Sequence, residues 1–287
     1  MASIAPDPDD TPDVQLPGHT PGKVWRVGPG RGDVRADSDE LAQEIPIALE
    51  YNGIAHATLL ASPLDLEDLA YGFSFTEGII RSAADIYGIE LERRDAGIVI
   101  QATIASACLN QLKLRRRNLA GRTGCGLCGL ESLDEVQRPL APTTGRSAPL
   151  AQHAIVAAIE QLRALQPLHQ ITGATHAAGW ADEQGNVAAV REDVGRHNAL
   201  DKLIGRLLRD HSDTARGFAV ISSRASFEMV QKAAAAGINT VAAVSAPTHY
   251  AVQLADSLNV MLAGFARRDT FTVYAHPEYL RLQEDPT

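Results

Sequence analysis

The sequence predicts an α/β fold: a C-terminal, mostly parallel sheet with flanking helices, preceded by a small N-terminal α+β unit. Short apolar runs alternate with amphipathic segments in the order β-β-α-β-α-β-α-β after about residue 170, the pattern of strands joined by crossover helices. Residues 41–104 show a hairpin, one helix and two further strands. The segments that follow the C-terminal strands are polar, and each leads into a helix, the place where such sheets hold ligands.

Residues 1–40 carry six prolines by position 29, many Asp and Gly, and almost no apolar periodicity, so that stretch reads as a disordered tail. The alternation of Ile45, Ile47 and Leu49, the pair Asn52-Gly53, then Ile54, Ala57 and Leu59 predicts two strands around a tight turn. A helix opens after Ser62-Pro63, with Leu66, Leu69, Ala70 and Phe73 on one face and Gly78 beyond its end. Strands around 86–91 and 97–104 complete the unit. Residues 105–150 show little regular pattern and read as a flexible loop. From 151 to 287 the chain reads as a ligand-binding domain. It has helices at 153–165, 193–210 and 227–236, strands either side of the Asp182–Asn186 turn, at 218–221, at 240–244 and at 271–274, and a long helix from Pro247 carrying Leu254, Leu258, Met261, Leu262 and Phe265.

The 287 residues are 45% hydrophobic with a formal charge of −9, enough for a substantial core and unsuited to general nucleic-acid binding. No run of about 18 apolar residues appears, nor a charged n-region followed by an apolar h-region, so the expectation is a cytoplasmic protein without a membrane segment. Three cysteines make no disulfide framework.

Two of them lie in Gly124-Cys125-Gly126-Leu127-Cys128-Gly129. Glycine strips away side-chain cover and leaves both sulfurs accessible to a partner. Upstream, Lys113, Arg115, Arg116, Arg117 and Arg122 favour thiolate over thiol, and the thiolate is the species that attacks sulfur or binds metal. The competing reading is half of a structural zinc site, but zinc wants four ligands. No second CxxC exists, Cys108 sits in an apolar run, and His153 and His169 are distant in sequence.

The strand-end segments are Arg191–Asn198, Ser222-Ser223-Arg224-Ala225-Ser226 and Ser245-Ala246-Pro247-Thr248. Free N–H groups at the helix starts suit an anion, although Ser and Thr there are also ordinary caps. Taken together, with Ser222, Arg224, Ser245 and Thr248, they point to a phosphate-bearing ligand. His176, His197 and His249 stand near that edge, and each reads first as a hydrogen-bonded structural residue. Asp193 and Arg196 read as a helix-start carboxylate with a nearby cation.

The stretches Thr123–Gly129, Gly173–Ala178, Arg191–Lys202 and Ser222–Lys232 resemble the formate dehydrogenase accessory sulfurtransferase family, FdhD, and the resemblance runs from about residue 41 to the end. It implies a sulfur carrier that takes persulfide sulfur from a cysteine desulfurase and passes it to the molybdenum cofactor, as bis-molybdopterin guanine dinucleotide, for apo formate dehydrogenase. It further implies a homodimer, a cytidine deaminase-like C-terminal fold, the persulfide on Cys125 with Cys128 as second thiol, and cofactor binding by Phe265, Ala266, Arg267, Arg268, Asp269 and Thr270. No structural metal is then expected. A non-catalytic cofactor chaperone with zinc at the CxxC is the alternative. A zinc deaminase fits poorly, because it needs H-x-E ahead of P-C-x-x-C, whereas His176 is followed by Ala177-Ala178 and the CxxC lies upstream.

Overall fold

The computed structural model describes residues 16–30, 32–120, 139–267 and 270–281. Two strands stand where the sequence reads as disordered: β1 (His19–Val27) and β2 (Val34–Ala42) form an antiparallel ribbon. Arg26 reaches across it to Asp37 at 2.7 Å and Asp39 at 3.2 Å. Cross-strand pairs and ladder bonds organise this ribbon more than burial does, so it leaves no apolar period to read. Residues 1–15 lie outside the described residues.

The expected hairpin is β3 (Ile45–Tyr51) and β4 (Ile54–Ala61), with Asn52 at φ 48° and Gly53 at φ 76° in the turn. After α1 (Leu66–Thr76), strands β5 (Ile86–Arg94) and β6 (Gly97–Ile104) join them in the order β4-β3-β6-β5, with β3 parallel to β6. Ile47, Leu49 and Tyr51 of β3 and Ile98, Ile100, Ala102 and Ile104 of β6 alternate onto one face, where Leu69, Ala70 and Phe73 of α1 cover them. Residues 106–120, expected in a loop, are helix α2 (Ser106–Ala120). Its Cys108 and Leu112 enter the same core, and burial followed by the Asp85 carboxylate pushes the Cys108 thiol up. Arg122, Cys125 and Cys128 lie outside the described residues, as do the side chains of Arg115–Arg117.

The rest of the chain gives β7 (Leu150–Ala151), α3 (Gln152–Ala164), α4 (Pro167–Thr172), β8 (His176–Asp182), β9 (Val187–Asp193), α5 (Arg196–Arg209), β10 (Gly217–Ile221) and α6 (Phe227–Ala235). Then follow β11 (Thr240–Ala243), α7 (His249–Ser257), β12 (Met261–Arg267), β13 (Thr270–Ala275) and β14 (Leu280–Arg281), which pairs with β7. The main sheet has the order β13-β12-β11-β10-β8-β9. It is mixed, not mostly parallel: β10–β11 and β11–β12 are parallel, while the other three pairings are antiparallel. Only the two α-helical crossovers generate parallel neighbours, whereas β8–β9 and β12–β13 are hairpins. The long helix expected after Pro247 also stops early. Asn259 takes φ 56°, and Met261–Ala263 become a buried strand. Helices α5, α6 and α7 cover one face of the sheet, and α3 covers the other.

The two units meet where α1 crosses α5. Gly72 lies against the carbonyl of Asp201 and Gly205 against that of Asp68, so a Cβ at either position would overlap backbone atoms of the other helix. Asp68, almost fully covered, accepts from Arg191 at 2.7 Å and Arg209 at 2.6 Å. Beside the crossing, Lys232 of α6 reaches Asp201 and Glu77, each at 2.9 Å, and Thr76 donates to Asp201 at 2.7 Å. Gly205→Ala should lower stability by about 3 kcal/mol, because backbone cannot rotate away as a side chain can. Urea unfolding checks this, and a loss under about 1 kcal/mol would mean the crossing is not tight.

Candidate ligand site at the strand edge

Strand direction gathers the motif segments at one edge. Because β8 runs against β10, with Ala178 opposite Ile221, the start of β8 lies beside the carboxyl end of β10. His176 pairs in register with Asp193, which brings the end of β9 to the same edge, and Thr270 pairs with Arg267 at the end of β12. Thus Gly173–His176, Glu192–Asn198, Ser222–Ser226, Ser245–Thr248 and the paired ends of β12 and β13 at Arg267 and Thr270 all belong to one rim of the sheet.

Two neighbouring carboxylates organise this rim, one on each face of β9. Glu192 accepts from the backbone N–H groups of Leu168 (2.9 Å) and His169 (2.8 Å) at the start of α4 and from the Thr175 hydroxyl (3.0 Å). Asp193 points the other way, into a site with no solvent exposure. There it meets Lys202 Nζ at 2.6 Å and accepts from Ser62 N–H, Gly195 N–H and the Asn198 amide. Lys202, also fully buried, donates its remaining protons to the carbonyls of Ser62 at 3.0 Å and Glu192 at 3.5 Å. The cation facing Asp193 is therefore Lys202 rather than Arg196. The motif's acids are scaffolding, and they lock the N-terminal unit, through Ser62, to the rim.

A cleft of about 560 Å³ opens between these segments, lined by Arg163, His169, Thr175, His176, Ser222 and Val244 among others. The sequence reading names His169 only as a distant candidate zinc ligand and Thr175 only within the Gly173–Ala178 stretch, and it does not expect Arg163, His169 or Thr175 at this edge. They precede β8, and only its antiparallel orientation carries that segment to the carboxyl edge. Ser222 extends the ladder: its hydroxyl accepts the Ala177 N–H at 2.9 Å and its own N–H donates to the Ala177 carbonyl at 2.9 Å. Arg224 is exposed. The Ser245 carbonyl accepts the Phe265 N–H at 3.2 Å, and the Thr248 hydroxyl caps α7 by accepting from Ala251 at 3.3 Å. Phe265 itself is 45% exposed and held at φ 52° on a bulge of β12, a conformation that a non-glycine residue keeps only when its surroundings impose it. The surroundings are visible: Gly264 lies against Pro247 and the Ser245 carbonyl with no room for a side chain. Ala266 packs into the core, so only its backbone faces the rim. Thr270 is exposed, and Arg268, Asp269 and the Arg267 side chain lie outside the described residues.

The histidines divide. His197 Nε2 meets Glu228 at 2.7 Å, yet burial holds its pKa below the ordinary value, with Glu228 opposing. Burial, then Arg196 and His169, lower that of His176. His249 is exposed.

Lys202→Met would leave Asp193 buried without its cation and should cost about 3–5 kcal/mol, measured by urea unfolding. A cost near zero would show the pair to be dispensable. For His176 the unfolded chain holds the proton more tightly than the folded one. Stability therefore rises with pH through the region below 6.5 and is lost on acidification. His176→Asn should narrow the stability gap between about pH 7 and about pH 5.5; an unchanged gap would remove His176 from the acid response.

The FdhD/NarQ family model matches residues 42–281. A "Sulfur carrier protein FdhD" from Bordetella petrii is 56% identical over 260 residues, covering 91% of this chain and 93% of the relative. Another of that name from Cupriavidus necator is 50% identical over 283 residues, covering 98% and 96%. In fold, the chain is similar to the crystal structure of a proposed formate dehydrogenase accessory protein from Desulfotalea psychrophila. That likeness has a TM-score of 0.70 at 23% identity and covers 92% of this chain and all of the other. A family match that spans both units and every rim segment leaves one conclusion: this chain belongs to the FdhD/NarQ family.

Proposed function

We propose that this protein is a sulfur carrier that accepts a sulfane sulfur on Cys125 and delivers it to a nucleotide-bearing metal cofactor seated at the strand rim. The observation that carries this reading is the convergence of five polar segments on one edge of the sheet, in a chain that also holds Gly124–Gly129. The names of its relatives support the sulfur-carrier part. In this reading the cofactor is bis-molybdopterin guanine dinucleotide, the recipient is apo formate dehydrogenase, and the working form is a cytoplasmic homodimer on a cytidine deaminase-like sheet. Among the described residues, no helix is long and apolar enough to cross a membrane.

The loading step balances without an added oxidant or reductant. The Cys125 thiolate attacks the outer sulfur of the persulfide on a cysteine desulfurase, whose own cysteine leaves as thiolate. Cys125 then holds the sulfane sulfur until the acceptor takes it. Attack by the Cys128 thiolate on the inner sulfur would expel hydrosulfide and leave a Cys125–Cys128 disulfide, which gives the second thiol a role in release and requires reduction by a cellular thiol before the carrier is reloaded. In this reading Phe265 lies against a ring system, Arg224 and the N–H groups opening α6 and α7 hold phosphates, and Ala266, Arg267, Arg268, Asp269 and Thr270 take part in the same binding.

The alternative, a cofactor chaperone with zinc at the CxxC, is separated by metal analysis of purified protein, where one zinc per chain would favour it. The sulfur-carrier reading expects Cys125→Ala to abolish formate dehydrogenase maturation in cells while the purified variant unfolds at the wild-type urea concentration. Cys128→Ala should cost less activity. Full maturation activity in Cys125→Ala cells would overturn the assignment.

A further inference from the structure

The end of the main sheet opposite the rim carries a second, smaller cleft of about 260 Å³. Gly217, the first residue of β10, Asn239, just before β11, and Glu183, just after β8, mark that end. Basic side chains from three separate elements line the cleft: Arg146 from the segment before β7, His153 from the first turn of α3 and Arg281 from β14. Glu183 is the one acid among the described residues that line it.

Arg146 is the fixed point. Its side chain is 2% exposed, and its guanidinium donates to the carbonyls of Ala148 at 3.2 Å and Gly217 at 2.7 Å, to the Asn239 amide oxygen at 3.1 Å and to Glu183 at 3.3 Å. A guanidinium has five N–H groups, and these four bonds leave one on Nη2 without a partner among the described residues. Burial lowers the pKa of this guanidinium, and Glu183 opposes the shift, so the carboxylate does not fully compensate the charge. His153 and Arg281 are exposed, and neither forms an ion pair among the described residues. In a chain whose formal charge is −9, two arginines and a histidine around one cavity with a single carboxylate form a local positive field that favours an anion.

Size and direction decide which anion. The cavity is smaller than those that take drug-sized ligands, and its apolar lining is limited to Ala148, Pro149 and Ala151, with no aromatic face for a ring. Donors that arrive from three elements suit acceptor oxygens pointing in several directions.

We propose that this cleft binds a small tetrahedral oxoanion of the sulfate or hydrogen phosphate class between Arg146 and Arg281. The site is independent of the thiols and of the rim, which stands at the other ends of the same strands. Because Arg146 already ties its segment to the starts of β10 and β11, a bound oxoanion fastens α3 and β14 to the same point.

Calorimetry with inorganic phosphate at constant ionic strength tests this on the full-length protein. Wild type should bind a single phosphate per chain at this cleft, in the millimolar range or tighter. Arg281→Gln should bind it at least about fivefold more weakly, and Arg281→Glu should not bind it. Without phosphate, Arg281→Gln should melt at the wild-type temperature, since the side chain it replaces is exposed. Selenate soaked into crystals of the wild-type protein should give anomalous scattering within hydrogen-bond distance of Arg146 and Arg281. Equal phosphate affinity in wild type and Arg281→Gln would overturn the proposal, as would no binding at about 20 mM phosphate. Selenate found only elsewhere, the rim included, would overturn it too. Malonate binding more tightly than phosphate would replace it with a carboxylate site, the signature of an acidic partner.

Discussion

The close crossing of α1 and α5 is the constraint on which the rest of the structure depends. Each helix contributes a glycine at the point of contact, and each glycine meets a carbonyl of the partner helix with no space for another atom. Such an approach would be weak if it only removed small apolar surface. It is flanked by buried charge on both sides: Asp68 between Arg191 and Arg209, and Lys232 between Asp201 and Glu77. Charges held in this way have no tolerable alternative arrangement, since moving either unit would leave one of them desolvated and unpaired. The helix pair therefore sets one orientation of the N-terminal sheet on the mixed sheet.

That orientation reaches the ligand rim through Ser62, the first residue after β4. Its N–H and carbonyl are bound by Asp193 and Lys202, while its hydroxyl accepts the Val194 N–H at 3.1 Å. The β9–α5 turn is consequently built from both units. Arg196 and His197 follow this turn directly, so the groups facing the rim inherit their positions from a fully buried ion pair. A site that must hold a large anionic ligand benefits from such stiffness, because ordering it on binding would otherwise cost affinity.

Much of this was legible in the sequence, and the failures have physical causes. The Asn52-Gly53 hairpin, the stripe of α5 and the buried strand at 218–221 carry strong local signals, namely turn chemistry, period and an unbroken apolar run. Strand β12 was hidden because Leu258, Met261, Leu262 and Phe265 also fit helical spacing. A strand buried on both faces has no alternation to betray it. The β1–β2 ribbon was hidden for the opposite reason, since Trp25, Val27 and Val34 remain exposed and its cross-strand ion pairs have no period. At the rim, the Ser222, Ser245 and Thr248 segments were found by strand-end logic, but the contribution of Arg163, His169 and Thr175 depended on a strand direction that the sequence left open. The role of Glu192 was likewise set by contacts 17 to 24 residues away, and that of Asp193 partly by Ser62, 131 residues away.

The account joins two halves, a thiol segment that carries sulfur and a rim that receives a phosphate-bearing acceptor, and the first half decides whether the second matters. The most direct measurement is mass spectrometry of the purified protein after incubation with a cysteine desulfurase and cysteine, with the added sulfur located by peptide. The account predicts one additional sulfur on Cys125, absent from the buried Cys108 and discharged when the cofactor is supplied. Sulfur found elsewhere, or no added sulfur under conditions that load another acceptor of the same desulfurase, would contradict it.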